Sequence, residues 1–151
     1  MGKIDIELIK KLREETGVAI IRIREVLQEV GDDPKKALVI LKKEALDKAE
    51  RREGRETGQG KIFVYAHHTG KVVGVVELLC ETDYVAKNEL FESLGKDLAM
   101  QVASMGEEKF EDQDFVKDGS RNVKGMIKEL IAKTGENVKL GRVQRFELGN
   151  E

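Results

Sequence analysis

The sequence predicts an α+β protein in which three helices precede a core made of one three-stranded antiparallel sheet covered by helices. Three observations lead to this class. The first 50 residues carry only helical patterns, two β-branched segments flank a short turn after Gly60, and two apolar helical stripes follow them. The single proline and the absence of tryptophan also favour a helix-rich chain. Helices and strands that are segregated along the chain are typical of α+β proteins.

Three short helices are predicted at the start of the chain, in a module that covers residues 1–50. Asp5 is the expected N-cap of the first helix, and Gly17 ends it. The second helix spans about 18–30, and Asp33 precedes a third helix that begins at a proline. Short amphipathic helices bury their apolar faces only by packing together, so we expect a compact three-helix bundle.

A charged, glycine-containing linker is predicted between this bundle and the core. Most residues of the segment 42–56 are charged, at spacings typical of a solvated helix. Glycines lie near its end and just after it, at positions 54, 58 and 60. We therefore place a linker at residues 51–60 and the core at residues 61–151.

The core is predicted to contain a hairpin, two helices and a final strand. The hairpin strands cover residues 61–68 and 72–80, Asn88 precedes the first helix, and the second helix covers about 120–134. Residues 138–148 complete a three-stranded antiparallel sheet. The apolar stripe of the first of these helices consists of Leu90, Leu94, Leu98, Val102 and Met105.

The overall charge and the single cysteine exclude several classes of protein. The 27 basic and 29 acidic residues give a net charge of -2, which argues against a nucleic-acid-binding protein. The lone Cys80 fits a reducing compartment. No signal peptide and no apolar run long enough to cross a membrane is found. We therefore expect a cytoplasmic protein that contacts neither a membrane nor nucleic acid directly.

No arrangement typical of a catalytic, metal or nucleotide site is found in the sequence. His67 and His68 are adjacent, so on a strand they would point to opposite faces and could not share a metal ion. Cys80 ends an apolar strand, which favours a buried apolar side chain over a nucleophile. The glycines match neither the Walker pattern nor the dinucleotide fingerprint. We therefore predict no catalytic residue, no metal and no cofactor.

One apolar side chain of the second helix is predicted to be exposed. At about 100° per residue, Ile21 lies about 160° from the centre of the apolar face, while Ile20 lies at the edge of that face. A single exposed isoleucine is common on protein surfaces. This position is therefore as consistent with an ordinary surface as with an interaction site.

A second unusual feature is the connection at residues 80–88 (CETDYVAKN), which we expect to be too short to form a regular element. It places Tyr84 beside Asp83 on a segment that is fixed at both ends. An exposed ring at such a place would lose little entropy on binding a partner. Alternatively, Tyr84 folds back as a lid on the apolar stripe of the following helix. The residues alone favour neither interpretation.

Several segments, in one order along nearly the whole chain, together resemble the bacterial translation elongation factor Ts family. They are residues 8–17 (LIKKLREETG), 35–43, 80–88, 115–118 (FVKD), 135–137 (GEN) and 145–149 (RFELG). The resemblance implies a ubiquitin-associated-like (UBA-like) bundle before the core. It also implies a guanine-nucleotide exchange factor that binds the GDP form of elongation factor Tu, with no covalent catalysis of its own.

The resemblance also implies which residues bind the G domain of elongation factor Tu. An aromatic side chain in the core inserts into that domain, and a lysine and two apolar residues of the bundle contact it. The implied partner-binding residues are Thr82, Asp83, Tyr84 and Val85 in the core, and Lys10, Ile20 and Ile21 in the bundle.

This sequence departs from the family pattern at several places. Tyr84 stands where the family usually has phenylalanine, the stretch around 106–114 is shortened, and only one core half is present. Longer relatives contain two similar core halves, so a single half suggests a homodimer through the core. The alternative to an exchange factor is a UBA-like module that binds nascent chains or nucleic acid without exchange activity.

Overall fold

The structure is a computed structural model that describes residues 5–150, and it confirms the predicted α+β class. The helices are α1 (Ile6–Thr16), α2 (Ile20–Glu29), α3 (Pro34–Glu50), α4 (Asp83–Ala86), α5 (Glu89–Met105) and α6 (Val123–Thr134). The strands are β1 (Gln59–Ala66), β2 (Val72–Cys80), β3 (Asp114–Phe115), β4 (Asp118–Asn122) and β5 (Val138–Glu147). β1, β2 and β5 form one antiparallel sheet in that order, and β3 pairs with β4. Among the described helices, none is both long and apolar enough to cross a membrane.

Side-chain caps mark where α1 and α3 of the bundle begin. The carboxylates of Asp5 and Asp33 each accept a hydrogen bond of 3.0 Å from a backbone N–H of the helix that follows. Val18 lies outside α2, contrary to prediction, because its N–H donates to the Thr16 hydroxyl at 3.3 Å. The three helices pack around a buried apolar core. It consists of Ile9, Leu12, Val18, Ile23, Val26, Leu27, Ala37, Leu41 and Ala45.

A bidentate ion pair joins α2 to α3. Arg22 Nη2 lies 2.6 Å from Glu44 Oε1, and Arg22 Nε lies 3.0 Å from Glu44 Oε2. Hydrogen bonding to this guanidinium holds the pKa of Glu44 below its usual value. The folded state therefore binds the Glu44 proton less readily than the unfolded state does. The stabilisation that this ion pair gives the folded state is fully present above the pKa of Glu44 in the unfolded chain, about 4.3. It is lost as the pH falls through the lower pKa of Glu44 in the folded state.

We expect Arg22→Gln to lower the free energy of unfolding at pH 7, because its bidentate ion pair with Glu44 is lost. The loss should shrink at pH 3, where Glu44 is largely protonated in the unfolded state. Urea denaturation at both pH values checks this. Arg24→Gln, on the exposed side of the same helix, is the matched control. An equal loss at both pH values would contradict the role assigned to the pair.

α5 lies directly on the inner face of the sheet. Phe63 of β1 and Val76 of β2 are buried beneath it. Gly74 of β2 allows the closest approach, because an added Cβ would strike the Ala99 carbonyl oxygen and lie 2.8 Å from the Ala103 nitrogen. The other face of the sheet carries no helix among the described residues.

Three details of the predicted core were wrong. Residues 80–88 do contain an element, because α4 forms one helical turn there. Leu90 and Met105 are exposed, since they lie at the two ends of α5. α6 begins at Val123 and not near residue 120, because the Asn122 side chain caps it and the preceding residues pair as β4.

The bundle is attached to the core through α6. Lys128 Nζ lies 2.9 Å from Glu50 Oε1, and the Arg52 guanidinium donates to the Ile131 carbonyl oxygen at 3.4 Å. α3 ends at Glu50, and β1 begins two residues before the predicted start of the core. The division of the chain into a module, a linker and a core stays a prediction.

Candidate partner-binding site

Tyr84 projects from the end of the core on a short segment that we call the tip, residues 82–86. Its side chain is 84% exposed, so it does not fold back as a lid on α5. Val85 is only 8% exposed, and it packs into the core together with Ala86. The tip therefore presents one aromatic ring to solvent from a backbone that is anchored beneath it.

Hydrogen bonds within the tip close its single helical turn. The Thr82 hydroxyl accepts from Val85 N at 3.4 Å as the N-cap, and Ala86 N donates to the Thr82 carbonyl oxygen at 3.2 Å. Asp83 is mostly exposed, and its carboxylate lies 3.8 Å from Lys87 Nζ. Asp83 and Tyr84 are the exposed residues of the tip, whereas Thr82 is half-buried and Val85 is buried. That these four residues bind a partner stays a prediction.

The tip is also held from outside its own segment. Glu136 accepts two hydrogen bonds from Thr82, at 2.9 Å from the backbone N–H and at 2.6 Å from the hydroxyl. The Cys80 thiol donates to the Thr82 carbonyl oxygen at 3.1 Å. Burial raises the pKa of Cys80, which keeps the thiol protonated and unsuited to act as a nucleophile. No sequence pattern indicated a role for Glu136, although it lies within one of the segments that carry the family resemblance.

A second surface lies on the bundle, where Lys10, Ile20 and Ile21 were predicted to bind a partner. Ile21 is 73% exposed, which confirms the orientation predicted from helical phase. Lys10 is also exposed, and its ammonium lies 3.8 Å from a Glu7 carboxylate oxygen. The hydrogen bonds and ion pairs found among residues 5–150 do not link these side chains to the tip. That all of these residues bind one partner stays a prediction.

A third surface, missed in the sequence analysis, is the face of the sheet opposite α5, which we call the open face. Val64 and Ile62 of β1 are each 62% exposed there, and Phe146 of β5 is 57% exposed. An ion pair between Arg142 and Glu77 crosses the same face. The one available indication was the unbroken apolar run at residues 62–66 (IFVYA), which places apolar side chains on both faces of the strand. The apolar side chains of the open face are those of Ile62, Val64, Ala66, Val73, Val75, Leu79 and Phe146.

The two histidines lie side by side and not on opposite faces of a strand. β1 ends at Ala66, so His67 and His68 belong to the turn, and their ring centroids are 4.2 Å apart. The predicted orientation was therefore wrong. Within residues 5–150, no three histidine, cysteine or acidic side chains are grouped so as to hold a metal ion.

Comparison with curated proteins gives relatives along nearly the whole chain, and each of the following is named elongation factor Ts. The protein of Leptospira biflexa serovar Patoc is 35% identical over 191 aligned positions, which cover 95% of this chain and 96% of the relative. Those of Thermotoga petrophila and Thermotoga neapolitana are 34% and 33% identical, and the alignments cover 97% and 99% of both chains, respectively. The chain belongs to the elongation factor Ts family. It is therefore a translation elongation factor.

The family model for elongation factor Ts matches residues 81–151, which include the tip and Glu136. The alignment with the Leptospira relative runs over 191 positions, whereas this chain has 151 residues. This member of the elongation factor Ts family thus lacks residues that its relatives contain. The expected place of the loss, around residues 106–114, holds only a single 3-10 turn at Phe110–Asp112 between α5 and β3.

Proposed function

We propose that this member of the elongation factor Ts family binds the GDP form of elongation factor Tu in the cytoplasm and promotes release of GDP. Family membership supports the partner, and the exposed Tyr84 on an anchored tip is the observation that carries the proposal. A ring that is held in place before binding loses little entropy when it docks, which is typical of a residue that dominates a binding energy.

In this mechanism, the tip enters the G domain of the partner while the bundle contacts the same domain. Asp83 and Tyr84 act at the nucleotide site, and Lys10, Ile20 and Ile21 provide a second contact. The nucleotide and its magnesium ion belong to the partner, and magnesium tolerates little displacement of its ligands. This chain then needs no cofactor and no covalent step, because it acts only by binding one state of the partner more tightly.

The proposal requires reciprocal coupling between the factor and GDP. If this chain weakens the binding of GDP to elongation factor Tu tenfold, GDP must weaken the binding of this chain tenfold as well. Each tenfold effect needs about 1.4 kcal/mol of interaction that is made only in the nucleotide-free state.

Isothermal titration calorimetry of this chain with nucleotide-free and GDP-loaded elongation factor Tu tests the proposal. We expect binding at least about 100-fold tighter to the nucleotide-free partner, since a useful exchange factor needs couplings of this order. Equal affinity for the two forms would contradict an exchange function. It would favour a simple binding module.

We also propose that two copies of this chain associate through their open faces. A sheet that is covered by helices on one side leaves apolar side chains in water on the other, and a second copy would bury them in a face-to-face sandwich. Arg142 and Glu77 give the face charges of both signs, which suits the self-complementary contact of a two-fold dimer.

Val64→Asp, midway along the edge strand β1 of the open face, is therefore expected to convert the dimer into a monomer, because a desolvated carboxylate would lack a partner. Sedimentation should give twice the 17.0 kDa chain mass for the unmodified protein and the chain mass for the variant. Val116→Asp, at an exposed valine outside that face, should leave the dimer intact. A monomeric unmodified chain at micromolar concentration would contradict this assembly.

A further inference from the structure

We infer that Glu136 is a positioning residue for the tip, so that it acts on nucleotide exchange through Thr82 and without touching the partner. The inference deepens the proposed function and rests on it for the consequence in exchange. The positioning itself is a property of this chain alone. It can therefore be measured without any partner.

A helix of four residues is not stable by itself. Nucleation of a helix is unfavourable in free energy, and only longer helices form enough backbone hydrogen bonds to offset it. α4 is such a helix, and burial of Val85 and Ala86 anchors its inner side only. Its first turn is fixed by the Thr82 hydroxyl, which accepts from Val85 N. Whatever orients Thr82 therefore orients Tyr84.

Glu136 supplies that orientation with both carboxylate oxygens. Oε1 accepts from Thr82 N at 2.9 Å, and Oε2 accepts from the Thr82 hydroxyl at 2.6 Å. Donation to Glu136 directs the hydroxyl hydrogen away from the helix, which leaves an oxygen lone pair to accept from Val85 N. Hydrogen bonds to a carboxylate are about twice as strong as neutral ones, and Glu136 is half-buried.

The residue next to Glu136 is itself held by hydrogen bonds to Glu81 and to the segment between α3 and β1. The neighbouring residue, Asn137, is buried, and its backbone N–H donates to Glu81 at 2.6 Å. The Asn137 side-chain amide donates to the carbonyl oxygens of Glu53 and Arg55, at 3.1 and 2.8 Å. Glu136 thus extends from a rigid junction and not from a loose loop.

Amide hydrogen exchange on the isolated chain tests the positioning. We expect Glu136→Ala to speed exchange at the Val85 and Ala86 amides about tenfold or more, because charge-assisted bonds to Thr82 are lost. Amides in the middle of α5 should change less than about twofold, since that helix keeps its packing. Glu108→Ala, at an exposed acid away from the tip, is the matched control. Unchanged protection at the tip in Glu136→Ala would overturn the inference.

Conservative variants distinguish orientation from bulk stability. Glu136→Gln keeps an acceptor for the Thr82 N–H and should retain part of the protection that Glu136→Ala loses. Thr82→Ser keeps the hydroxyl and should protect the tip nearly as well as threonine, whereas Thr82→Val should resemble Glu136→Ala. If Thr82→Val protected the tip as well as threonine does, the route through the hydroxyl would be wrong.

A double-mutant cycle links the positioning to exchange. We expect Glu136→Ala to lower kcat/KM for catalysed GDP release about tenfold, and to have no further effect once Tyr84 has been replaced by alanine. Losses that simply add would overturn the inference, because they would show that Glu136 does not act through the ring. If the unmodified chain gives no release at all, the proposed function fails, while the hydrogen-exchange result still decides the positioning.

Discussion

Replacing Tyr84 with alanine is expected to lower kcat/KM for GDP release from elongation factor Tu by about 30- to 100-fold. Truncation of a central aromatic contact costs about 2 kcal/mol or more, and each 1.4 kcal/mol is tenfold. The free energy of unfolding should stay within about 0.5 kcal/mol, because the ring is 84% exposed and supports little of the core. Release of a fluorescent GDP followed by stopped flow, beside a urea titration of the same variant, measures both quantities.

Two variants control for the size and the place of the change. Tyr84→Phe keeps the aromatic ring and should keep the rate within about threefold, since only a hydroxyl is lost. Val116→Ala removes exposed apolar surface away from the tip and should leave the rate unchanged. Full activity in Tyr84→Ala would show that the tip has been assigned the wrong role.

Gly74→Ala is expected to have the largest effect on stability, a loss of about 3 kcal/mol or more in the free energy of unfolding. The new Cβ would meet backbone atoms of α5 at Ala99 and Ala103, and backbone cannot move aside as a flexible side chain can. α5 would have to lift from β2, which would uncover Phe63 and Val76. Urea denaturation followed by circular dichroism measures the loss.

Gly119→Ala is the matched control, because Gly119 also lies in a strand and an added Cβ there meets no atom within 4 Å. We expect it to change the free energy of unfolding by less than about 0.5 kcal/mol. If Gly74→Ala were equally mild, α5 would not pack as closely on the sheet as the structure shows.

Elements governed by neighbouring residues could be predicted from the sequence. The helix caps at Asp33 and Asn88 follow from local chemistry. The carboxylate of Asp33 and the amide oxygen of Asn88 each accept a hydrogen bond from a backbone N–H of the following helix, as expected. The exposure of Ile21 follows from helical phase alone. Such features depend on a few residues that are close in the chain.

Features that depend on distant residues could not be predicted. α4 is too short to show a periodicity, and it is held by Glu136, which lies 54 residues from Thr82. The open face arises because the core helices that contact the sheet lie on one side of it. The apolar run at residues 62–66 shows that both faces of β1 are apolar, but it does not show what covers the second face.

The central claim is that this chain opens the nucleotide site of elongation factor Tu. Its most direct test is the rate at which fluorescent GDP leaves the partner in the presence of excess unlabelled GDP, with and without a saturating amount of this chain. We expect an acceleration of at least about 100-fold, which corresponds to about 2.8 kcal/mol off the barrier to release. A release rate that does not change as the chain is added would contradict the account.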